Sequence, residues 1–249
     1  MASGIYMNFI IQFFYLILYQ PLFNALILLY RYLPGHDFGL AVVILTLFIK
    51  VILHPLTIKG LKAQKGMADL QPKIKEIQSK YAGDVQKQNK ILMELYKQEK
   101  VNPFSGCLLL LLQLPILIAL YQVFLKVFNH EALNGILYNF VANPGVISQT
   151  FLWVFDLNNK IFIGVLAVLA GVVQFWQTKI SSPAPIGQSA KGQKDFSGLM
   201  QKQMLYFFPV LGAIVIWQFG AVIGLYWIFS SLFSIGEQMI INKQSKAKL

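Results

Sequence analysis

Charge is scarce in this chain: 12% of its residues are Asp, Glu, Lys or Arg, while 56% are hydrophobic. Soluble domains carry about 25% charge, and here the apolar residues come in blocks, which excludes an ordinary soluble globule and indicates an integral membrane protein. Cysteine is scarcer still. The single Cys107 supports neither an intramolecular disulfide framework nor a metal cage. No Lys or Arg precedes the first apolar run, which argues against a cleaved signal or transit peptide, and no N-terminal Cys is offered for lipid attachment. Neither HExxH nor a serine in a GxSxG context occurs, and His36 and His54 have no sequence partners that suggest a triad. The expectation is a non-enzyme without metal, cofactor or catalytic residues.

The formal charge of +11 could suggest nucleic acid, but its distribution does not. Ten lysines lie between Thr57 and Pro103, with only Asp69, Glu76, Asp84, Glu94 and Glu99 beside them. Basic residues gathered between apolar spans mark cytoplasmic loops. The stretch lacks the interleaved aromatics of a nucleic-acid surface, so nucleic acid is not expected as a primary ligand.

The apolar blocks divide the chain. Span one is expected within 37–57, span two within 104–128 and span three within 161–178. Residues Gln203–Gly236 contain no charge over thirty-four positions. As one helix they would extend about 51 Å, beyond a hydrocarbon core of about 30 Å. Lysines flank both sides, at Lys202 and at Lys243, Lys246 and Lys248, which requires an even number of crossings. Residues 203–241 are therefore read as a hairpin of spans four and five, turning near Phe219-Gly220-Ala221. The loop 129–160 holds Glu131, Asp156 and Lys160; near neutral, it belongs outside. The basic segments 58–103, 179–202 and 242–249 belong in the cytoplasm. The first of these reads as a helical hairpin with apolar stripes Leu70, Ile74, Ile77, Tyr81 and Ile91, Leu92, Leu95, Tyr96, separated by a stop at Gly83. The second is rich in Ser, Gly, Pro and Gln and reads as a flexible loop. In segment 1–36, Asn8, Gln12, Tyr15 and Tyr19 share one helical face and Pro21 interrupts the run. This fits an amphipathic helix in the outer interface, with a sixth span as the alternative. The fold class is thus an all-α membrane protein with five transmembrane helices, an N-terminal interfacial helix and a cytoplasmic helical hairpin, its N-terminus outside and C-terminus inside.

Lys50 stands thirteenth in the nineteen-residue apolar segment Phe38–Leu56. An ammonium at membrane depth costs roughly 2.5–3.5 kcal/mol on insertion scales and marks a functional site by default. Thr46, Lys50, His54 and Thr57 follow at i, i+4, i+8 and i+11, which puts them on one helical face. Tyr226, Ser230, Ser234 and Glu237 repeat that spacing in the last span. Gln113 in the second span and Gln174 and Gln177 in the third fall in the same inner half of the membrane, whereas the outer halves are almost wholly apolar. A channel needs polar lining across the full depth. The expectation is a wet groove open only to the cytoplasm, lined by Lys50, Thr46, His54, Gln113, Gln174, Gln177, Tyr226, Ser230 and Ser234. Each polar side chain alone could be interhelical hydrogen-bonding glue, and Lys50 could pair with Glu237.

Several segments resemble the YidC family of membrane protein insertases. They are Gln20-Pro21-Leu22-Phe23, the span Gly39–Pro55 with LFIKVILHPL, LQPKIKEIQSKYAGD from Leu70, ELYKQEKVNPFSGC from Glu94, QLPILIALYQVF from Gln113, FPVL from Phe208 and LYW from Leu225. They occur in order and cover roughly residues 20 to 242. The resemblance implies the minimal insertase core without a large extracytoplasmic domain, in a bacterial plasma (inner) membrane. It implies a hydrophilic groove holding one important positive charge, and substrate membrane proteins, lipid, and a ribosome or Sec translocon as partners. The family usually carries Arg five residues before the Pro that ends the span; that position is Lys50 here. Before LYW, Gly220-Ala221-Val222 replaces the family's Pro-Ala-Gly or Pro-Ser-Gly, which predicts a looser turn. The rival reading is a small anion transporter using Lys50, although the internal repeats and broken midplane helices of transporters are not evident.

Overall fold

A computed structural model describes residues 11–102, 105–129, 133, 135–181 and 196–246. Its principal elements are α1 (Ile11–Tyr32), α2 (Phe38–Asp69), α3 (Gln71–Lys80), α4 (Val85–Gln98), α5 (Ser105–Lys126), α6 (Lys160–Ser181), α7 (Phe196–Phe219) and α8 (Ala221–Lys246). A two-stranded antiparallel ladder, β1 (Thr150–Phe151) with β2 (Phe155–Asp156), was not anticipated. By length and composition α1, α2 and α6 can each cross a membrane, and shorter apolar stretches occupy Leu111–Lys126 and Leu205–Phe219. The architecture is that of an all-α integral membrane protein. Most of the expected flexible loop (182–195), the last tail residues (247–249), Asn8 and the Pro103-Phe104 junction lie outside the described residues.

The chain forms two compact units. The first comprises the described residues within Met1–Val51, Leu111–Ala170 and Ala213–Ser230. In α1, Tyr19, Phe23, Leu26, Ile27 and Tyr30 are buried, the i, i+4, i+7, i+8, i+11 spacing of one apolar face. Tyr19 thus turns into the core and does not belong to an outward polar face. Pro21 does not interrupt the helix either. One π-helical turn, Tyr15–Tyr19, precedes it, and the Gln20 N–H reaches back to the Tyr15 carbonyl. Such wide turns are a known way for a helix to absorb a local irregularity.

Buried polar groups tie the 135–160 segment to this unit. Asn24, buried within α1, donates through Nδ2 to the carbonyls of Gln20 at 2.8 Å and Ile136 at 3.1 Å, and accepts from the Tyr138 N–H at 2.7 Å. The Ser148 N–H donates to Tyr30 Oη at 2.8 Å. Asp37, 0% exposed, caps α2 by accepting from the Leu40 N–H at 2.7 Å, and its other oxygen takes the Trp153 N–H at 2.8 Å. Gly39 is required where α2 passes the ladder, because a Cβ there would lie 2.6 Å from Phe151 Cβ.

The break between α7 and α8 is the single residue Gly220, at φ 100°, whose N–H closes onto the Ile216 carbonyl at 2.8 Å. The turn is tight, contrary to the looser one expected without the family's proline, because glycine alone supplies the left-handed conformation.

The second unit comprises Ile52–Leu110, Gly171–Gly212 and Ser231–Leu249, again in their described residues. Here α2 runs past the expected end of the first span, through Pro55 to Asp69. The first helix after α2, α3, accordingly starts at Gln71, within the segment 58–103. Leu70 and Ile74 are buried, while Ile91, Leu92, Leu95 and Tyr96 are half-buried. Burial raises the Tyr96 phenol above its ordinary value of 10.0, so it stays a neutral seam residue at physiological pH. Helix α3 ends at Lys80, before Gly83, and Asp84 caps α4 by accepting from the Lys87 N–H at 2.9 Å. The Lys73–Glu99 ion pair is solvent-exposed and such pairs contribute only about 0–1 kcal/mol.

Replacing Asp37 by Ala removes a helix cap and the acceptor of a second backbone N–H. We expect a loss of about 2–4 kcal/mol, combining about 1 kcal/mol for the cap with about 1–3 kcal/mol for an unsatisfied donor, measured by unfolding in denaturing detergent.

Candidate functional site

Of the sequence-selected residues, Thr46, Lys50, Gln113, Tyr226 and Ser230 fall in the first unit, and His54, Gln174, Gln177 and Ser234 in the second. Helix α2 has two unlike faces. Thr46 is buried and Lys50, His54 and Thr57 are half-buried, whereas Phe48, Val51, Ile52 and Leu56 on the other side are exposed. The 3.6-residue period accounts for this: the four polar positions cluster within about 80° of arc, and the exposed apolar ones fall opposite. Lys50 lies twelve residues beyond Phe38, about 18 Å along the helix axis. Thr46 Oγ1 donates to the Val42 carbonyl at 2.7 Å and Thr57 Oγ1 to Leu53 at 3.0 Å. Both hydroxyls are thereby satisfied within their own helix, as buried Ser and Thr commonly are.

In the first unit the structure also brings Gln113 and Tyr226 together: Gln113 Nε2 donates to Tyr226 Oη. The Tyr226 and Ser230 hydroxyls are hydrogen-bonded one helical turn apart. This fixes the phenol between α5 and α8, with an amide on one side and a hydroxyl on the other.

In the second unit Gln174 Oε1 accepts from Ser231 Oγ at 3.2 Å. Ser231 is buried and was not selected from the sequence, where the i, i+4, i+8 spacing favoured Ser230 and Ser234. Gln177 places a buried Oε1 without a hydrogen-bond partner among the described residues. The largest departure concerns Glu237. Sequence position suggested a site nearer the headgroups, with a pairing to Lys50 only as an alternative. Instead Glu237 is 3% exposed and accepts through Oε1 from His54 Nδ1 at 2.5 Å. Its Oε2 has no partner among the described residues. His54 also sets its ring edge-on to Phe233, with centroids 6.3 Å apart. The available signal was the matched spacing of the two polar stripes, one carrying His54 and the other Glu237. Among the described residues no cluster of three His, Cys, Asp or Glu is placed to hold a metal.

Each unit by itself can do electrostatics and hydrogen bonding: the first carries the Lys50 ammonium with an amide and hydroxyls, the second the His54–Glu237 pair with amides and hydroxyls. The sequence profile of the 60Kd inner membrane protein family matches residues 28–248. The membrane protein insertase YidC of Wolinella succinogenes is 36% identical over 229 residues, 92% of this chain and 38% of that protein. That of Oceanobacillus iheyensis is 33% identical over 218 residues, 86% of this chain and 78% of the relative. That of Campylobacter jejuni is 34% identical over 224 residues, covering 90% and 37% respectively. The chain therefore spans less than two-fifths of the length of two of these relatives and over three-quarters of the third.

Removing His54 alone strands a buried carboxylate, which costs roughly 3–5 kcal/mol when a buried pair is broken from one side. We expect His54→Ala to destabilise by that order and Glu237→Gln by much less, because the remaining imidazole is half-exposed and can be solvated. The double variant should recover most of the His54→Ala loss. Unfolding midpoints in a double-mutant cycle check this; additive losses would mean that the two side chains act independently.

Proposed function

Because the chain belongs to the 60Kd inner membrane protein family, we propose that it is a membrane protein insertase in a bacterial plasma membrane, acting on short hydrophilic tails of substrate membrane proteins. The observation that carries the reading is Lys50, a half-buried ammonium on the polar face of α2, opposite a face of exposed apolar side chains. In the proposed mechanism an acidic or polar tail enters from the cytoplasm and is drawn toward Lys50. At an effective dielectric of about 20, two unit charges 4 Å apart attract by about 4 kcal/mol. That attraction offsets part of the cost of bringing a carboxylate out of water.

The remaining polar side chains, Thr46, Gln113, Tyr226 and Ser230 with Lys50, and His54, Gln174, Gln177 and Ser234, supply a wet surface that shortens the apolar distance a tail must cross. The substrate's own hydrophobic span then partitions into lipid, releasing about 25 cal/mol per Å² of apolar surface. The membrane potential adds about 2.3 kcal/mol per charge per 100 mV for acidic tails. In this reading insertion consumes no nucleotide and forms no covalent intermediate. The basic segments 58–103, 179–202 and 242–249 face the cytoplasm, by the positive-inside rule. A ribosome or a Sec translocon is a proposed partner, supported by family membership and by the lysines of the hairpin and tail.

The test is insertion into liposomes of a single-span substrate with an acidic N-terminal tail. Lys50→Arg should retain the rate, since the charge is kept. Lys50→Ala should lower it roughly tenfold or more, which corresponds to about 1.4 kcal/mol of lost attraction. A substrate whose tail acids are replaced by Asn and Gln should respond much less to either variant. Wild-type insertion of the acidic substrate by Lys50→Ala would end the electrostatic mechanism. Flux of small anions dependent on Lys50, without insertion, would favour a transporter instead.

A further inference from the structure

The turn between β1 and β2 is built from residues that its backbone disfavours. Leu152 has φ 51° and Trp153 has φ 58°, two consecutive non-glycine residues in the left-handed region, where Asn, Asp or Gly would sit with least strain. The conformation is held from the protein side. Asp37 Oδ2 accepts the Trp153 N–H at 2.8 Å, and the Val154 N–H reaches the Phe151 carbonyl at 3.3 Å. The indole lies against Gly35, itself at φ 73°, where an added Cβ would come within 2.1 Å of Trp153 Nε1. A buried carboxylate that also caps α2 and a left-handed glycine thus fix this one turn.

The protein core gains little in return. Leu152 is 43% exposed, Trp153 58% and Val154 79%. Strain that is held in place for so little internal packing indicates a role outside the fold. The next element shows what that outside is. Helix α6 begins at Lys160, four residues after β2, so the ladder stays within about 14 Å of its first turn. From that turn on, α6 presents exposed Ile161, Val165, Val168, Leu169 and Val172, as a lipid-facing helix of an integral membrane protein does. Between Thr150 and Lys160 only Asp156 and Lys160 are charged, so the turn carries no net charge that would call for an acidic or basic protein partner. An indole beside two aliphatic side chains at the end of a spanning helix has the chemistry of the headgroup–acyl boundary, where Trp concentrates.

We propose that Leu152-Trp153-Val154 is a lipid-docking wedge, inserted into the headgroup–acyl boundary at the end of the bilayer where α6 begins. The wedge continues the lipid-facing surface of α6 past the helix end. It pins the level of that end, because Asp37 links the turn directly to the cap of α2. The proposal is independent of the insertase reading; it requires only that α6 crosses a membrane.

The test uses the full chain in phosphatidylcholine vesicles, with Trp176, Trp217 and Trp227 replaced by Phe so that Trp153 is the sole indole. Lipids brominated at acyl positions 6,7 should quench its emission at least twofold, lipids brominated at 11,12 should quench less, and acrylamide should quench weakly. Strong acrylamide quenching without bromolipid quenching would place the turn in water. Resistance to both would place it against protein, a partner or a second copy. Either result overturns the proposal. Where the triple Phe variant does not fold, an environment-sensitive fluorophore on Val154→Cys in a Cys107→Ser background, with all four tryptophans kept, gives the same bromolipid comparison. In that background Leu152→Asn/Trp153→Gly should abolish the quenching while the unfolding temperature holds or rises. A lowered unfolding temperature would show that the two side chains serve internal packing, and the wedge would be wrong.

Discussion

A charge on an apolar helix must be turned toward polar surroundings or neutralised, and the faces of α2 follow that constraint at Lys50. Because the helical period is 3.6 residues, one ammonium at mid-helix fixes which of its neighbours can be polar. Thr46, His54 and Thr57 occupy its side of α2, and Phe48, Val51 and Ile52 the opposite one. Glu237 obeys the same constraint by a different route. Buried at 3% exposure, it is met by a half-exposed imidazole 2.5 Å away. Losing that partner would leave the buried Glu237 side chain with neither oxygen hydrogen-bonded among the described residues.

Backbone groups face the same requirement where helices end. At the junction of α1 and α2 backbone N–H groups of two segments are taken up by a single carboxylate, Asp37, which serves both Leu40 and Trp153. Asn24 does the corresponding work for the segment after α5, binding the Ile136 carbonyl and the Tyr138 N–H from within α1. The 135–160 connection is therefore fastened to the helices by buried polar contacts, and its apolar turn is free to be used at the surface.

Helix periodicity and charge distribution made the fold class legible in the sequence. The charge-free run Gln203–Gly236 is too long for one span, and α7 and α8 are separated within it at Gly220. Boundaries were less legible. Pro55 looked like an end because proline removes one backbone donor, yet a single lost bond does not outweigh the continued pattern, and α2 proceeds to Asp69. Pro21 misled in the same way, since a π-helical turn accommodates it. Side-chain partnership was the least legible layer. Spacing put Glu237 on a polar stripe, but it could not say that His54 would meet it, because a stripe fixes a helical face and not the partner across from it. Ser231 escaped notice for a related reason: it lies one position off the stripe and is reached by the long Gln174 side chain. The paired left-handed residues Leu152 and Trp153 carry no motif at all.

The central claim is that the polar face of α2 and the amides and hydroxyls named with it stand in water reached from one side of the membrane only. Cysteines placed one at a time at Thr46, Gln177 and Ser230, in a Cys107→Ser background, test it most directly. The account predicts modification of each by a membrane-impermeant thiol reagent from the cytoplasmic side and not from the other. Reaction should be fastest at Gln177 and slowest at Thr46, while cysteines at Val43 and Leu166 stay unreactive from both sides. Labelling of Thr46→Cys from both sides would reveal a continuous aqueous path, and labelling of none of the three would return these side chains to hydrogen-bonding between helices; either result contradicts the account.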